Sequence, residues 1–499
     1  MSLSVASNLA ESALRHAGRT AVVFGEERIS YADLWLQARS YGARFRRLGV
    51  RPGDRVAVLL LNTPEFPRAY YGALAIGAVV VPVHALLTPS EVAYVLRDSG
   101  AKVLVCDRAL AAAGRAGAEA AAVPFIEAGV PADAPIETHE QRAEGDDAVI
   151  LYTSGTTGSP KGAVLSQSNI LLNASVAAHD LFTVTCEDVF LAALPLFHSF
   201  GQTCVMNTAF RVGASIVLMP RFDGASALQL MLDHSVTLFA GVPTMFIGLL
   251  DAAKQHVGRP PLRVCASGGA SLPLAVLEKF ETEFDVMVLE GYGLSETSPI
   301  ASFNQLDLGR KPGTVGCGIW GVDLAVANPD IEDRIAFLEP GELGEIVIRG
   351  HCVFKGYLNN PQATAAAIVD GWFRSGDLGT RDADGFITIV DRKKDMILRG
   401  GYNVYPREVE EVLMRHPSVK QVAVIGIPHE THGEEVVAVV VLEESTGSLE
   451  AAVLIEWSQG FLAKYKYPRA VHFVDAMPLG PSGKVLKRVL REQLQATIA

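Results

Sequence analysis

Cysteine is scarce in this chain: the six residues in 499 (Cys106, Cys186, Cys204, Cys265, Cys317 and Cys352) form neither a CxxC pair nor a metal-type spacing with histidine. That excludes a disulfide framework, disfavours structural zinc and suits a reducing compartment. Basic charge is also short, since 43 Lys and Arg against 55 Asp and Glu leave a net charge of -12. Nucleic acid is therefore a poor partner, because its phosphates must be neutralised by cations. The start of the chain, "MSLSVASNLAESALRHAGRT", lacks the basic opening and continuous apolar core of a signal peptide. It places Leu9, Ala13, Leu14 and Ala17 on one helical face instead. Only Ala69 to Leu87 is long enough to resemble a membrane span, and Pro82, His84 and the glycines around its valine run read better as a buried helix followed by a buried strand. A cytoplasmic protein is expected.

Hydrophobic residues make up 49% and charged residues 20%, ordinary for a folded enzyme. The length exceeds the roughly 250–300 residues at which a single core stops growing, so several domains are expected. "RVAVLLL", "AKVLVCD" and "ASIVLMP" alternate with helical stretches, which implies βα units and mostly parallel sheets. In "TPSEVAYVLRDSG", Thr88 caps, Pro89 takes the first helical position, Glu91 completes a capping box and Gly100 follows the end. Short strands punctuated by Gly and Pro begin near Lys311 and predict a small antiparallel or barrel-like unit. After "DRKKD" the pattern becomes a compact α+β tail whose first helix opens at Pro406 and carries Val409, Val412 and Leu413 on one side. Ala109 to Ala122 reads as an exposed helix and loop. Arg44, Arg46, Arg47, Arg51 and Arg55 form the one basic cluster. It reads as a helix end and turn, with peripheral membrane or phosphate contact as the alternative.

"YTSGTTGSPKGAVLS", Tyr152 to Ser166, follows the apolar run Ala148 to Leu151. Small hydroxylated residues with closely spaced glycines let main-chain N–H groups and hydroxyls converge on an anion, and a lysine adds charge. The Walker pattern is not met, since Lys161 follows Pro160 and precedes Gly162. A Ser/Gly linker fits poorly between two apolar segments.

This stretch resembles the signature loop of the adenylate-forming superfamily, which includes acyl-CoA synthetases, firefly-type luciferases and peptide-synthetase adenylation domains. Four further blocks of that family follow in order: "GYGLSET" at Gly291, "GWFRSGDLG" at Gly371, "DRKKDMILRGGYNVYPREVEE" at Asp391 and "GPSGKVLKR" at Gly480. The resemblance implies an α/β fold in which a large N-terminal domain, residues 1–393, contains two doubly wound, mostly parallel sheets and a small β-barrel at about 311–390. A small mobile α+β domain, 394–499, would follow. It also implies ATP and coenzyme A as co-substrates, magnesium as cofactor, and a monomer or homodimer.

Residue by residue, the resemblance implies that Thr153, Ser154, Gly155, Thr156, Thr157, Gly158 and Lys161 hold the β and γ phosphates. Tyr292 becomes an adenine platform within Glu290, Gly291, Tyr292 and Gly293, with Gly269 and Ala270 beside the base and Ser295 on the α-phosphate. Glu296 becomes a magnesium ligand together with Thr156. Asp377 accepts from the ribose hydroxyls, and Arg392 adds a ribose or phosphate contact. Lys484 matches the mobile lysine that bridges carboxylate and α-phosphate, Lys394 the hinge, and Gly400 and Gly401 the face presented for thiol attack after the C-terminal domain rotates.

"LPLFHSFGQTCVMNTAFRV" matches one wall of the acyl pocket, with Phe197, Phe200, Val205 and Met206 in it and Val242 and Met245 from "GVPTMFIGLL" nearby. No carboxylate lies between Leu194 and Arg211, which disfavours an amino acid whose ammonium would need a partner. Arg211 is the one cation available to a dicarboxylate, and it is expected to be exposed. An apolar acid, medium- or long-chain, is the expectation, with aryl and dicarboxylic acids as alternatives. His198, in "PLFH", matches a position near the substrate carboxylate and pantetheine path. His429 and His432 mimic a metal pair, but a surface loop is preferred because no further ligand is close in sequence. A carrier-protein ligase usually has an insertion between "GELGEIVIRG" and "GWFRSGDLG"; the interval here is short, which favours CoA. A binding-only protein is disfavoured because Lys161, Glu296 and Lys484 are all present, while a luciferase-like oxygenase would share every motif.

Overall fold

Short runs of Val, Leu, Ile and Ala supply strands that are buried on both faces, and these strands assemble into two large sheets. The computed structural model describes residues 4–153, 160–256, 258–444, 446–447, 449–480 and 483–498. One seven-stranded sheet runs Gly356–Tyr357, Lys161–Ser166, Asp147–Thr153, Val79–Pro82, Arg55–Leu59, Ala101–Cys106, Phe125–Glu127. Its last five strands are parallel and the first two antiparallel. The nine-stranded sheet has a parallel centre of Val288–Gly293, Val264–Ser267, Leu238–Gly241, Val189–Ala192, Ser215–Leu218 and Thr20–Phe24, with antiparallel strands at both edges. One apolar cluster spans both sheets, which makes them a single folding unit.

The barrel-like unit expected after Lys311 is a five-stranded antiparallel sheet built on Val322–Ala327, Gly344–Gly350 and Trp372–Arg381. The tail forms its own sheet around the long hairpin Val419–His429 and Gly433–Leu442, flanked by helices Pro406–Met414, Ala451–Gln459 and Lys487–Ile498. Val409, Val412 and Leu413 are buried against it, each contributing about 1.5–3 kcal/mol as an upper figure. The architecture is thus a large N-terminal and a small C-terminal α/β domain.

The capping box at Thr88 and Glu91 is formed, and the helix Pro89–Ser99 ends on Gly100 with φ +62°. Ala69–Leu87 resolves into the end of helix Glu65–Ala75 and strand Val79–Pro82, and no helix among the described residues is long and apolar enough to cross a membrane. Two expectations fail. Helix Ala6–Arg15 buries Leu9 and Ala13 but leaves Leu14 78% exposed, because Leu14 is one residue, about 100°, round from Ala13. Helix Ala111–Ala121 is not simply exposed: Gly114, Gly117 and Ala118 are buried, and Gly117 lies where a side chain would strike Val92. In the basic cluster, Arg46 pairs with Glu140 and Arg47 with Asp133, so part of its charge is already neutralised within the chain.

Candidate active site

Ligands in open α/β sheets gather beyond the carboxyl ends of the strands, and most of the residues singled out above stand at such ends. Leu238–Gly241, Val264–Ser267 and Val288–Gly293 are consecutive parallel neighbours. They deliver Val242, then Gly269 and Ala270, then Gly291 and Tyr292, side by side. Gly293 is a steric requirement, because a Cβ there would sit 1.7 Å from the carbonyl oxygen of Pro299.

Thr153 and Lys161 are register partners at the open end of an antiparallel pair, so the signature stretch is the connection of a hairpin. Ser154, Gly155, Thr156, Thr157 and Gly158 lie outside the described residues. Their anchors face an acid. Glu296, on the short helical turn Ser295–Thr297, is buried, and its Oε1 accepts from Tyr357 Oη at 2.9 Å and Thr153 Oγ1 at 3.5 Å. Lys161 Nζ stands 5.3 Å above the ring of the same Tyr357. Tyr357 was not singled out from sequence. It arrives through strand Gly356–Tyr357 pairing with Lys161–Ser166, a contact that no local pattern announces.

Tyr292 Oη donates to Asp377 Oδ2 at 2.6 Å, and Arg392 Nε is 3.2 Å from Asp377 Oδ1 across a paired register. Burial, and then the Asp377 carboxylate, push the Tyr292 phenol well above its ordinary pKa, so it is a neutral donor. The loop bearing Asp377 is pinned by a second charge pair. Arg374 binds Glu345 Oε2 through Nε and Nη2 at 2.9 and 2.7 Å, and Gly376 N–H donates to Glu345 Oε1 at 2.9 Å. Both partners are buried, so removing either would strand the other's charge. Glu290 turns away from Tyr292: its Oε2 accepts from Gly313 N–H at 3.0 Å, and burial pushes the carboxyl up to about 7.

Lys484 comes from the other domain to meet these groups. Burial first, then Arg392 and Lys394, lower its pKa to about 8, against the opposing fields of Asp377 and Asp395. Its segment is tied down one residue earlier, where Thr244 Oγ1 donates to Gly483 carbonyl oxygen at 2.8 Å. Lys420 with Asp251 at 2.6 Å and Lys254 with Glu443 at 3.6 Å join the same two domains. His198 lies within the field of Lys484. Burial, then Lys484 and His84, lower its pKa to about 4, so it is neutral near pH 7. Its Nδ1 accepts Phe200 N–H at 3.3 Å, which leaves Nε2 as the donor. Lys394, Gly400 and Gly401 are exposed; Lys394 acts on this group as a positive field on Lys484, and Gly400 and Gly401 both have positive φ, +58° and +83°.

Phe197, Val205, Met206, Val242 and Met245 are buried and Phe200 is partly so. The wall is less uniform than its apolar reading. Phe200–Asn207 is a π-helix, a geometry frequent at functional sites. It also buries Gln202, Thr203 and Asn207, and Asn207 joins Tyr70 and Tyr71 by hydrogen bonds of 3.2 and 2.6 Å. The hydroxyls of Ser199 and Thr203 are buried without a partner among the described residues. Arg211 is exposed and donates to Ser175 Oγ at 3.1 Å, so it does not serve this wall.

Two family models match nearly the whole chain: AMP-binding enzyme over residues 9–358 and AMP-binding enzyme C-terminal domain over residues 408–484. The chain belongs to the AMP-binding enzyme family. Within this adenylate-forming family it is 36% identical to a long-chain-fatty-acid–CoA ligase of Bacillus subtilis (strain 168), over 98% of this chain and 94% of that protein. It is 35% identical to a feruloyl-CoA synthase of Amycolatopsis sp, over 95% and 96%. The crystal structure of ATP-bound MatB from Rhodopseudomonas palustris superposes with a TM-score of 0.90 at 32% identity, covering 100% of both chains. Apo MatB from the same organism scores 0.79 at 31% identity, again covering 100% of both chains. The chain therefore superposes better on the nucleotide-bound form of that relative than on its apo form.

Proposed function

We propose that this AMP-forming acid–thiol ligase adenylates an apolar monocarboxylic acid, with medium- to long-chain straight acids as the first candidates, and passes the acyl group to coenzyme A. In the first step a carboxylate oxygen bonds to the α-phosphorus of ATP and pyrophosphate leaves. In the second the CoA sulfur bonds to the acyl carbon and AMP leaves. The observation that carries this reading is the convergence of Lys484, His198 and the Tyr292–Asp377–Arg392 group beside a wall free of carboxylates. A cation there offsets repulsion between two anions as they approach, and it can do so only where water is excluded.

The remaining roles follow from position. Thr153 and Lys161 with the connecting Ser154, Gly155, Thr156, Thr157 and Gly158 would hold the β and γ phosphates, and Ser295 the α-phosphate. Gly269, Ala270, Gly291 and Tyr292 would flank adenine. Neutral His198 would donate through Nε2 to the substrate carboxylate or thioester path. The domain border would lie at 393/394, with Lys394 as pivot.

Glu296 with Thr156 would hold Mg2+. A buried carboxylate faced by the Thr153 hydroxyl is a hard-oxygen donor set that suits this ion. When bound, the ion would neutralise phosphate charge. Tyr357→Phe removes the hydroxyl that orients Glu296. The magnesium concentration for half-maximal pyrophosphate release is expected to rise roughly tenfold, as for other groups that orient a ligand, with little change at saturating magnesium. An unchanged magnesium titration would remove Glu296 from that role.

Identity alone does not select the acid, since the fatty-acid and feruloyl relatives are 36% and 35% identical. The unpartnered Ser199 and Thr203 hydroxyls favour a second reading, an aryl acid bearing a polar substituent. A panel of straight-chain, aryl, dicarboxylic and amino acids, assayed by mass spectrometry for acyl-CoA, decides between them. Turnover of straight-chain acids supports the first reading and turnover of hydroxyaryl acids alone supports the second. Turnover confined to amino acids or dicarboxylates would overturn both.

A further inference from the structure

Strands Val419–His429 and Gly433–Leu442 pair with His429 opposite Gly433, and the turn between them folds His432 back over His429. The two imidazole rings lie 4.8 Å apart between centroids, and their Nδ1 atoms are 3.2 Å apart. Two nitrogens bound to one ion at about 2.0–2.1 Å with a tetrahedral angle stand about 3.4 Å from each other. The observed pair is already at that spacing.

The ligand that local sequence reading did not supply comes from the next strand. Glu435 sits two residues beyond Gly433, on the same side of the hairpin, and one ligand atom from each of His429, His432 and Glu435 lies within 4.8 Å of the others. His429 is exposed, so a small rotation of its side chain can close the longest of these gaps. Arg399 holds Glu435 from behind through Nε–Oε1 at 2.5 Å and Nη2–Oε2 at 3.1 Å. Glu435 Oε1 also accepts Val436 N–H at 3.0 Å, so it is the second lone pair of Oε2 that the guanidinium leaves available to an ion. The Thr431 hydroxyl lies 3.1 Å from His432 Nδ1 and 3.3 Å from His429 Nδ1, and Thr431 N–H donates to His429 Nδ1 at 3.3 Å, a bond that an ion on this nitrogen would replace.

We propose that His429, His432 and Glu435 form a site for a divalent ion of the zinc, cobalt or nickel class, with its remaining coordination positions open to solvent. Imidazole with carboxylate selects such ions over magnesium and calcium, so the site is distinct in chemistry from the hard-oxygen site at Glu296. It adjoins Gly400, whose N–H donates to His432 carbonyl oxygen at 2.8 Å, so an ion there would stiffen the turn that borders the Gly400–Gly401 segment. The proposal stands independently of the acid that the enzyme uses.

The full chain, freed of metal and of any affinity tag, is titrated with Zn2+ by calorimetry and with Co2+ by visible absorption. One equivalent is expected to bind, with cobalt d–d bands and no sulfur charge transfer. His429→Ala/His432→Ala is expected to weaken binding at least tenfold, and Glu435→Gln to a smaller degree, with circular dichroism confirming that each variant is folded. Wild-type binding no tighter than millimolar would overturn the site. So would undiminished binding in the double histidine variant, or a sulfur-to-cobalt band that assigns the ion to Cys186 or Cys317, the two cysteines that are not fully buried.

Discussion

Lys484→Ala is expected to slow acyl-adenylate formation a hundred- to a thousandfold, the loss typical of removing one preorganised charge-stabilising group. Transfer from presupplied acyl-adenylate to CoA should stay near its unaltered rate, because the proposed rotation of the C-terminal domain would withdraw this side chain in the second half-reaction. The two half-reactions separate cleanly in rapid-quench measurements, one reporting pyrophosphate and the other acyl-CoA. Equal losses in both would show that Lys484 merely supports the fold. The pH dependence gives a second readout. Burial and then the cations Arg392 and Lys394 bring Lys484 to about 8 in the free enzyme, so its charged form is lost as pH rises through that value. Adenylation kcat/KM, which reports the free enzyme, should therefore decline above about pH 8, and the decline should vanish in Lys484→Ala. Bound triphosphate adds negative charge beside the lysine, so kcat should hold to higher pH than kcat/KM.

Polar contacts join the two domains around Lys484. Thr244 with Gly483, Asp251 with Lys420 and Glu443 with Lys254 are polar contacts, and the tail packs its own apolar clusters internally. Partly exposed ion pairs contribute at most about 1 kcal/mol each. Contacts of this kind are compatible with the proposed rotation of the C-terminal domain.

Local grammar accounts for much that was legible in the sequence. The helix at Pro89 could be read because its cap, box and terminal glycine are all within one turn of its ends, and the parallel sheets because their strands are continuous apolar runs. The order of five blocks placed Tyr292, Asp377 and Arg392, and the structure brings Tyr292 and Arg392 together on Asp377. Part of what escaped depends on a partner distant in sequence: Tyr357 reaches Glu296 only because a two-residue strand pairs with Lys161–Ser166. Glu435 was close at hand, three residues after His432, and was passed over because only the hairpin register shows that it shares a side with His429. Leu14 failed for another reason: each residue turns a helix by about 100°, so one position decides between core and solvent. Ser199 and Thr203 stood in plain view within an apolar-looking segment, but burial of a hydroxyl without a partner is not visible before folding.

Gly401→Leu is expected to produce the converse of the lysine variant. A Cβ built on Gly401 meets no atom within 4 Å in the present orientation, so bulk there leaves adenylation nearly intact. In the proposed thiolation orientation the same segment must pass close to the pantetheine path. Displacing the reacting sulfur by about 1 Å costs on the order of a hundredfold, and acyl transfer to CoA should fall by about that factor. Gly401 has φ +83°, so any side chain also brings a backbone cost of about 1–2 kcal/mol. Gly401→Ala carries that cost without the bulk, and the difference between Leu and Ala isolates the steric term. Transfer in Gly401→Ala should lie close to wild type and transfer in Gly401→Leu far below it. If both variants lose adenylation and transfer alike, the Gly400–Gly401 face does not approach CoA, and the rotating-domain scheme for this chain is wrong.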